Sequence, residues 1–214
     1  METKIYSIVY DKNQIVEYEK YDNSHIKTIE QRSYLFEINP ILDIVDNHNI
    51  TEEYLGIFSY KFPQKTGIFK KKLEWLLNKN PDFDVYGLCD QRLKGKYLQF
   101  SDKVHLNFLK LFIPLCKDLG LNPIEPNFVI YSNYFICKTE IYRQFVEEII
   151  KPAVYLLETK YKDLAWKDSH YKGLSKDQLK LYTGLDYYPM FTFVLERLLN
   201  MYINNNKFKF KQLT

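Results

Sequence analysis

The sequence predicts an α/β fold in which helices flank a mixed, mostly parallel sheet. Short β-branched and aromatic segments alternate along the chain with segments whose apolar residues have helical spacing, which is typical of βαβ units. Apolar residues make up 46% of the 214 residues, with only 7 glycines and 8 prolines, so the chain can bury a sizeable core. We expect one domain over residues 1–214, either a whole protein or the N-terminal part of a longer chain.

Five segments are predicted to form strands. Each is short and rich in aromatic or β-branched residues. The segment 14–21 is more polar than the others, so we expect it to be more exposed. The last segment is interrupted by Ser132-Asn133 and could form two strands. The five segments are 4–11, 14–21, 53–59, 84–90 and 127–138.

Apolar residues at helical spacing predict five helices. Ser101 and Thr139 suit the N-caps of two of them, and Pro152 is expected to kink the second of these. Pro189 is expected to open the last helix, whereas the polar and aromatic segment 160–188 is predicted to be irregular. The helices are 33–47, 67–79, 101–119, 139–159 and a final helix that follows Pro189.

The net charge is +3 and the isoelectric point is about 8.5, which is a mildly basic balance. A dedicated nucleic-acid binder usually carries a larger and more clustered excess of positive charge, so we expect no nucleic-acid partner. Lysines 70–72 are expected on the solvated face of a helix. In the C-terminal segment 207–211, lysine alternates with phenylalanine, and this pattern is compatible with an edge strand, an ordered tail or a linker.

The three cysteines, Cys89, Cys116 and Cys137, are far apart and form no CxxC pair, so neither a zinc site nor a disulfide framework is predicted. All three lie in apolar segments and are expected to be buried thiols. The N-terminus has no signal-peptide pattern, and no apolar run approaches the ~18–20 residues that span a membrane. We therefore expect a soluble, cytoplasmic protein.

In open α/β sheets, ligands bind beyond the carboxyl ends of the strands. By this rule the candidate site includes Tyr10-Asp11, Tyr60-Lys61 and Asp90. A polar elbow, Lys61–Gly67, lies at the same end of the sheet between a strand and a helix, and its Lys65 suits an anion. The elbow is not a P-loop, because no glycine directly precedes Lys65, and the chain contains no GxGxxG, GxSxG or HExxH motif.

Two acidic positions are candidates for binding a divalent cation. Asp82-Phe83-Asp84 is an Asp-x-Asp motif, and two carboxylates at this spacing can hold a metal that clamps a diphosphate. The motif precedes its strand, at the end of the sheet away from the site, so we expect capping or turn roles for it. Asp90 follows the strand and is the preferred metal or ribose ligand, with an ordinary turn aspartate as the alternative. Among the histidines, His105 is predicted on a helix surface, and His170 is the one of functional interest.

Several segments together resemble a known family. They are "LGIFSYKFPQKTGI", which a helix follows, then "FDVYGL", "YSNYFICKTEIYRQFVEEIIKPAVYLLE" and "FVLERLLNMYI". Their order and spacing over residues 54–203 are similar to those of small nucleotide-sugar glycosyltransferases of the GT-A fold. That family includes transferases of capsule loci and a one-domain enzyme encoded by a chlorella virus.

The resemblance implies a hexosyltransferase with a nucleotide-sugar donor, a UDP-sugar such as UDP-glucose, and a glycan acceptor. A divalent metal, Mn²⁺ or Mg²⁺, would bridge the diphosphate of the donor. The usual Asp-x-Asp motif of the family stands at the end of its strand, where this chain has Asp90-Gln91-Arg92, so only the first acid is kept. Arg92 or Lys65 would then neutralise the leaving diphosphate instead. A virus-encoded member would work in the host cytoplasm.

The resemblance also implies roles for individual residues. Tyr10 and Asp11 would contact the uracil and ribose. Lys61 and Lys65, beside Tyr60, would face phosphate or sugar. Asn133 would hydrogen-bond sugar hydroxyls, with a simple bulge or turn as the alternative. The candidates for the base that activates the acceptor hydroxyl lie in the irregular segment and are Asp168, His170 and Asp186.

Two other classes of protein are compatible with the sequence. A nucleotide- or RNA-binding module would use tyrosine and phenylalanine for stacking and lysine for phosphates. A different α/β transferase, such as a methyltransferase or a nucleotide kinase, is disfavoured because the chain lacks glycine-rich loops. The pair Glu196-Arg197 lies in a helix that is apolar on one face, and we interpret it as an internal ion pair rather than a catalytic pair.

Overall fold

Six strands form one sheet in the order β2-β1-β3-β5-β4-β6. The structure is a computed structural model in which residues 1–9, 25–28, 35–171, 173 and 175–213 are described, and elements are numbered over these residues. The strands are β1 Thr3–Val9, β2 His25–Thr28, β3 Tyr54–Ser59, β4 Val85–Cys89, β5 Ile130–Lys138 and β6 Phe210–Gln212.

Five of the six strands run in one direction. β1 is parallel to β2 and β3, and β4 is parallel to β6, whereas β5 is antiparallel to both of its neighbours, β3 and β4. The carboxyl ends of β1, β3 and β4 therefore meet the amino end of β5, and we call this region the carboxyl end of the sheet. The prediction of a mixed, mostly parallel sheet flanked by helices is confirmed.

Ten α-helices surround the sheet within the described residues. Two of them, α8 and α9, lie in the segment 160–188 that the sequence predicts to be irregular, and Ser175 and Gln178 form a capping box at the start of α9. The helices are α1 Ile38–Asn47, α2 Phe62–Thr66, α3 Lys70–Lys79, α4 Tyr97–Val104, α5 Phe108–Asp118, α6 Thr139–Phe145, α7 Lys151–Glu158, α8 Lys162–Ala165, α9 Lys176–Thr183 and α10 Met190–Asn205.

Helices cover both faces of the sheet. On one face, α2 and α3 bury Phe62, Leu73 and Leu77 against the strands. On the other face, a larger core forms between the strands and helices α1, α4 to α8 and α10. Alternate residues of a strand enter opposite cores, as Leu55 and Phe58 of β3 do. Burial on both faces explains why the central strands, such as β3, are rich in apolar residues.

Four of the predicted strands correspond to β1, β3, β4 and β5. The fifth, 14–21, lies outside the described residues, and β2 was not predicted. The C-terminal segment of alternating lysine and phenylalanine forms the edge strand β6, where Phe210 stacks on Phe128 at a centroid distance of 3.8 Å and is followed by the buried Leu213. No helix in the described part of the chain is long and apolar enough to cross a membrane.

The prediction of a single helix over 101–119 is wrong. Two helices, α4 and α5, are separated by a break in which Asn107 has a left-handed backbone, with a φ of 70°. Ser101 is not an N-cap, because it lies inside α4 and is fully buried. His105 was predicted on a helix surface, but it is 1% exposed, and its ring stacks on Phe193 of α10 at 3.9 Å.

The predicted helix 139–159 is continuous, but its winding changes. α6 passes through a π-helical turn, Val146–Ile150, before α7 begins. In a regular helix the ring of Pro152 would clash with the carbonyl of Glu148, four residues earlier. The π-helical turn is wider than a regular turn and contains Glu148. Thr139 is not the N-cap; its hydroxyl donates a hydrogen bond of 2.6 Å to the Glu52 carbonyl.

Candidate functional site

The elbow Lys61–Gly67 folds as a short helix at the carboxyl end of β3. Tyr60 continues the pairing with β1, since its N–H donates to the Ile8 carbonyl at 3.0 Å. α2 follows, and Gly67 ends it with a left-handed φ of 65°, a conformation that favours glycine. The elbow is therefore an ordered turn of helix rather than a loose loop.

The Thr66 hydroxyl forms hydrogen bonds with the backbone of the elbow and of the residue that follows it. Thr66 donates to the Phe62 carbonyl at 2.7 Å and accepts a second hydrogen bond from the N–H two residues later at 3.1 Å. The Lys61 ammonium lies 5.5 Å from the centre of the Tyr60 ring, and Lys65 is exposed. The lysine side chains are thus the groups of the elbow best placed to meet an anion.

Three aromatic rings join the elbow to β5. Phe62 stacks on Phe58 at 4.3 Å and meets the ring of Tyr134 edge-on at 5.0 Å. The Lys65 ammonium lies 5.9 Å from the centre of the same Tyr134 ring. Because Tyr134 directly follows Asn133, this packing brings Lys65 near the interruption of β5.

The interruption that the sequence suggested at Ser132-Asn133 is a strained bulge in β5, and it lies at the carboxyl end of the sheet. Ser132 and Asn133 both have left-handed backbones, with φ of 48° and 55°, and the register with β4 shifts between Gly87 and Cys89. Non-glycine residues in this conformation cost of order 1–3 kcal/mol each when the region is sparsely populated. The Oδ1 of Asn133 is also buried and accepts no hydrogen bond within the described structure. Strain and an orphaned amide at one position are typical of a binding site.

Asp90 and Arg92 form a bidentate ion pair just beyond β4. The Arg92 Nε and Nη2 donate to the two carboxylate oxygens of Asp90 at 2.9 and 2.7 Å, and the Arg92 N–H adds a third hydrogen bond at 3.0 Å. This pairing holds the pKa of Asp90 below its ordinary value. The Arg92 side chain is otherwise 85% exposed, so it presents a positioned cation at the carboxyl end of the sheet.

The ligands that the described residues offer to a metal are few. Asp90 is the predicted metal ligand, and both of its oxygens already accept hydrogen bonds from Arg92. Within the described part of the chain no group of three His, Cys, Asp or Glu side chains could hold an ion. Asp11 and Tyr10, the other residues predicted on this side, lie outside the described residues. As described, this donor set does not form a cage for Mn²⁺ or Mg²⁺, which favour several oxygen ligands, and metal assistance stays a prediction.

The Asp-x-Asp motif lies at the opposite end of the sheet and has structural contacts. Asp84 forms a salt bridge of 2.8 Å with Lys138 at the end of β5, and its other carboxylate oxygen accepts the Lys209 N–H at 2.8 Å. Asp82 has a left-handed φ of 69° in the turn before β4. These contacts fit the capping and turn roles expected for the motif.

The three cysteines are neutral thiols. Burial raises the pKa of Cys89 and of Cys116 to about 12, and it raises the pKa of Cys137 well above its ordinary value. All three are free of disulfides, and Cys116 and Cys137 are buried. Because metals bind the thiolate, these side chains are poor ligands and poor nucleophiles at neutral pH.

Two of the three predicted acceptor-site residues are close together. Asp168 accepts a hydrogen bond from the backbone N–H of His170 at 2.7 Å, and its carboxylate lies 3.8 Å from the imidazole Nδ1 of the same residue. His170 has a left-handed φ of 59°, and both side chains are substantially exposed. Asp186 is exposed in the turn before α10, and no hydrogen bond or ion pair among the described residues joins it to the other two.

A buried histidine beside this segment was missed by the sequence analysis. The His105 ring stacks on Phe193 and lies 5.9 Å from the ring of Tyr171. Burial, together with the nearby Arg197 charge, lowers the pKa of His105 to about 4, although a hydrogen bond with the Ser169 backbone favours the protonated ring. Its Nδ1 is buried and has no hydrogen-bond partner in the described structure. The imidazole is therefore neutral at physiological pH.

Arg197 lies beside this histidine and is held in a fixed position. Its Nε donates to the Ser101 hydroxyl at 2.9 Å, and its Nη1 donates to the Phe193 carbonyl at 3.0 Å. The guanidinium lies over the rings of Phe108 and Phe193 at 5.4 and 5.7 Å. Glu196, the partner expected from the sequence, is 3.5 Å away and 39% exposed. The expected internal ion pair is therefore the weakest of the contacts of Arg197.

His105 and Arg197, which we call the histidine–arginine cluster, lie on the carboxyl side of the sheet. α1 connects the parallel strands β2 and β3, so the residues just before it lie beyond the carboxyl ends of the strands. Phe36, in that position, stacks on Tyr188 at 5.3 Å, and Tyr188 shares a small core with Phe193. The Ser169 N–H donates to the Tyr188 carbonyl at 2.9 Å. The predicted acceptor segment and the cluster are thus on the same side of the protein as Asn133.

These observations define a class of protein. It is an α/β protein whose polar and cationic groups gather beyond the carboxyl ends of its parallel strands, where such folds bind their ligands. Lysine and arginine side chains, a strained asparagine and an aromatic cluster are the components of this region.

Comparison with known proteins gives one distant structural likeness. No protein-family model matches the sequence, and no curated protein matches it significantly. A solved structure described as WbbM bifunctional glycosyltransferase, in its apo form, is similar in chain path, with 13% sequence identity and a TM-score of 0.48. The similarity covers 100% of this chain and 45% of the other, so this chain spans less than half the length of that enzyme.

Proposed function

We propose that this protein is a glycosyltransferase that moves a hexose from a UDP-sugar, such as UDP-glucose, to a glycan acceptor. The observation that carries the proposal is Asn133, whose buried amide oxygen has no hydrogen-bond partner among the described residues and whose backbone is strained. A sugar hydroxyl is a donor that would satisfy that oxygen. Lys65, which contacts the neighbouring Tyr134 ring, supplies the positive charge that a diphosphate needs next to its sugar.

Each part of the site then has a role. Lys61 and Lys65 bind the diphosphate of the donor, and Arg92 neutralises the charge of the departing nucleotide. Asn133 orients the sugar. Tyr10 and Asp11, outside the described residues, remain the predicted contacts for uracil and ribose, and Tyr60 is proposed to line the donor site with the lysines of the elbow.

The acceptor is proposed to bind next to the loop before α9. Asp168 and His170 form the pair that accepts the proton of the attacking hydroxyl, and the exposure of both side chains leaves them accessible to an acceptor. Asp186 is the third candidate for this role.

Metal assistance by Mn²⁺ or Mg²⁺ is part of the proposal, with Asp90 as the ligand. A metal held there would supply positive charge that stabilises the leaving group. For Asp90 to contribute an oxygen to a metal, the Arg92 guanidinium would have to release it. The cationic alternative needs no such rearrangement, because Lys61, Lys65 and Arg92 already line the carboxyl end of the sheet.

Thermal unfolding with a panel of ligands tests the proposal. We expect UDP and UDP-glucose to raise the melting temperature, whereas GDP, ATP and S-adenosylmethionine do so weakly or not at all. A ligand at 100 times its Kd adds about 2.7 kcal/mol, which for a domain of this size corresponds to a shift of roughly 5–10 °C. Each ligand is measured with Mn²⁺ and with EDTA.

The arms of this experiment separate the alternatives. A uridine-specific shift that EDTA removes supports the metal-assisted transferase, and an equal shift with EDTA supports cationic stabilisation by lysine and arginine. No shift with any uridine ligand, at concentrations that would detect millimolar binding, contradicts the proposal.

Asn133→Gly tests the observation on which the proposal rests. We expect this variant to be more stable by about 1 kcal/mol, because glycine adopts the left-handed backbone without strain and the unsatisfied buried amide is removed. We also expect kcat/KM for sugar transfer to fall by about tenfold or more, since the sugar loses a hydrogen-bonding group. Urea unfolding and a donor-turnover assay measure the two effects.

Ser132→Gly is the matched control. It relieves the left-handed backbone of the neighbouring residue but leaves the Asn133 amide in place, so it should stabilise the protein and keep the activity. If both variants retain full activity, Asn133 does not bind the sugar and the bulge is only a structural feature.

The C-terminal segment of alternating lysine and phenylalanine lends little support to the binding-module alternative. Phe210 stacks on Phe128, and Phe208 lies against Tyr202 at 5.7 Å. Rings packed in this way do not offer a free face to a base. Salt-dependent binding of a single-stranded oligonucleotide, stronger than that of UDP, would revive this alternative.

A further inference from the structure

The outer surface of α3 combines exposed aromatic rings with lysines. Phe69, just before the helix, is 62% exposed, and Trp75 is 56% exposed. Lys71, Lys72 and Lys79 are also exposed. They lie three or four residues from Trp75, so the helix places them around the indole on one face. We call these five residues the α3 face.

The fold itself does not require aromatic rings on this face. The opposite side of α3 supplies the packing, with Leu73, Leu76 and Leu77 buried against the sheet. A tryptophan that is more than half exposed leaves a large apolar surface in water, which is uncommon without a binding role. The Lys79 ammonium lies 4.7 Å from the centre of the Trp75 ring, so charge and apolar surface are directly adjacent.

The charge of this segment has one dominant sign. Residues 69–79 contain four lysines and a single glutamate, for a net charge of +3. This equals the formal net charge of the whole chain, which is also +3. The remaining residues therefore sum to a formal net charge of zero, and this segment is a local excess of positive charge.

We propose that the α3 face docks the protein on the surface of an anionic lipid bilayer. Lysine around tryptophan and phenylalanine is the composition of helices that lie in the membrane interface, where the rings enter the headgroup layer and the ammonium groups meet lipid phosphates. The negative charge of an anionic leaflet complements the +3 charge of the segment.

A membrane fits this surface better than a nucleic acid does. Proteins that bind single strands align aromatic platforms along a basic groove, whereas the α3 face is the convex outer side of a helix packed on a sheet. The proposal uses none of the side chains assigned to the sugar-transfer site, so it stands or falls independently of the proposed function.

Vesicle binding by the full chain tests the proposal. We expect the protein to co-sediment with vesicles that contain phosphatidylglycerol, to do so less as salt is raised, and not to bind vesicles of phosphatidylcholine alone. The triple variant Lys71→Ala, Lys72→Ala and Lys79→Ala should bind about 100-fold more weakly, from about fivefold per lysine. Trp75→Ser should bind about tenfold more weakly, because the ring no longer enters the interface.

A second readout reports on the ring itself. In a Trp166→Phe background, Trp75 is the sole tryptophan, and its emission should shift to shorter wavelength when phosphatidylglycerol vesicles are added. All replaced α3 side chains are exposed and alanine favours the helix, so we expect folded variants, which circular dichroism checks.

The controls carry the same changes elsewhere on the surface. Lys103→Ala, Lys110→Ala and Lys117→Ala remove three exposed lysines from α4 and α5, and Leu106→Ser removes an apolar side chain that is 65% exposed. These variants should bind vesicles like the wild type. The proposal is overturned if the wild type ignores anionic vesicles or if both triple variants lose binding equally. It is also overturned if the α3 variant loses affinity for a single-stranded oligonucleotide but not for vesicles.

Discussion

Replacing Lys61 and Lys65 together by alanine is expected to weaken the binding of UDP-sugar by about 100-fold or more. Hydrogen bonds from charged groups contribute about 1.5–3 kcal/mol each, and every 1.4 kcal/mol corresponds to a factor of ten in affinity. The two lysines lie in the elbow, where Phe62 packs against Tyr134 of β5, so the backbone that carries them is ordered before the ligand binds. Isothermal titration with UDP and UDP-glucose measures the effect.

The matched control is the double variant Lys71→Ala and Lys72→Ala. It removes the same charge from α3, the next helix along the chain, in an assay that contains no lipid. If the donor affinity falls equally in both double variants, general electrostatic attraction explains the loss. If the Lys61 and Lys65 variant binds UDP-glucose like the wild type, the elbow is not the diphosphate site.

Four of the six strands were predictable because burial on both faces makes most of their residues apolar. Tyr54–Ser59 is an example, since every residue in it is buried. The same reasoning located the carboxyl end of the sheet and hence the elbow, whereas Asn133 was proposed only from the resemblance to a glycosyltransferase family. Which strands run parallel to each other is a tertiary property, but the alternation of strands and helices constrains it strongly.

The helix break at His105–Asn107 was not predictable from apolar spacing. Val104, Phe108 and Leu111 continue one stripe through the break, so periodicity alone favours a single helix. In the structure α4 instead ends before His105, and the chain turns at Asn107. His105 packs against α10, which lies far away in the sequence. The spacing of three residues between His105 and Phe108 was the one sign that the imidazole belonged to the apolar side.

The contacts of α10 show another limit of sequence reasoning. Asn200, Asn204 and Asn205 are polar residues on a helix, and polar residues usually mark the solvated face. In the structure, Asn205 accepts a hydrogen bond from the Asn122 N–H at 2.7 Å, and Asn204 accepts one from the Asn127 N–H at 2.9 Å. The side chains thus bind the backbone of the segment that leads into β5, a partner that no local pattern reveals.

The innermost of these asparagines gives the largest expected effect on stability. The Asn200 Oδ1 accepts the Ile130 N–H at 2.7 Å, and its Nδ2 donates to the Ile130 carbonyl at 3.3 Å and to the Tyr97 hydroxyl at 3.0 Å. All of these groups are buried. Asn200→Leu, which changes the volume little, should therefore destabilise the protein by about 3–5 kcal/mol, because buried polar groups left unpaired cost about 1–3 kcal/mol each. Urea unfolding should show a lower midpoint with an unchanged m-value.

Asn206→Ala is the control for this effect. The Asn206 side chain is exposed and donates to the Tyr202 carbonyl at 2.8 Å, so its loss should change the stability by about 0.5 kcal/mol or less. Ile130 begins β5 and pairs with Cys89, the residue before Asp90. A loosened Ile130 would therefore also disorder the bulge at Asn133, and the ligand-induced rise in melting temperature should shrink in Asn200→Leu. Equal stability losses in the two variants, or an unchanged ligand response in Asn200→Leu, would mean that the hydrogen bonds between Asn200 and the Ile130 backbone do not support the site.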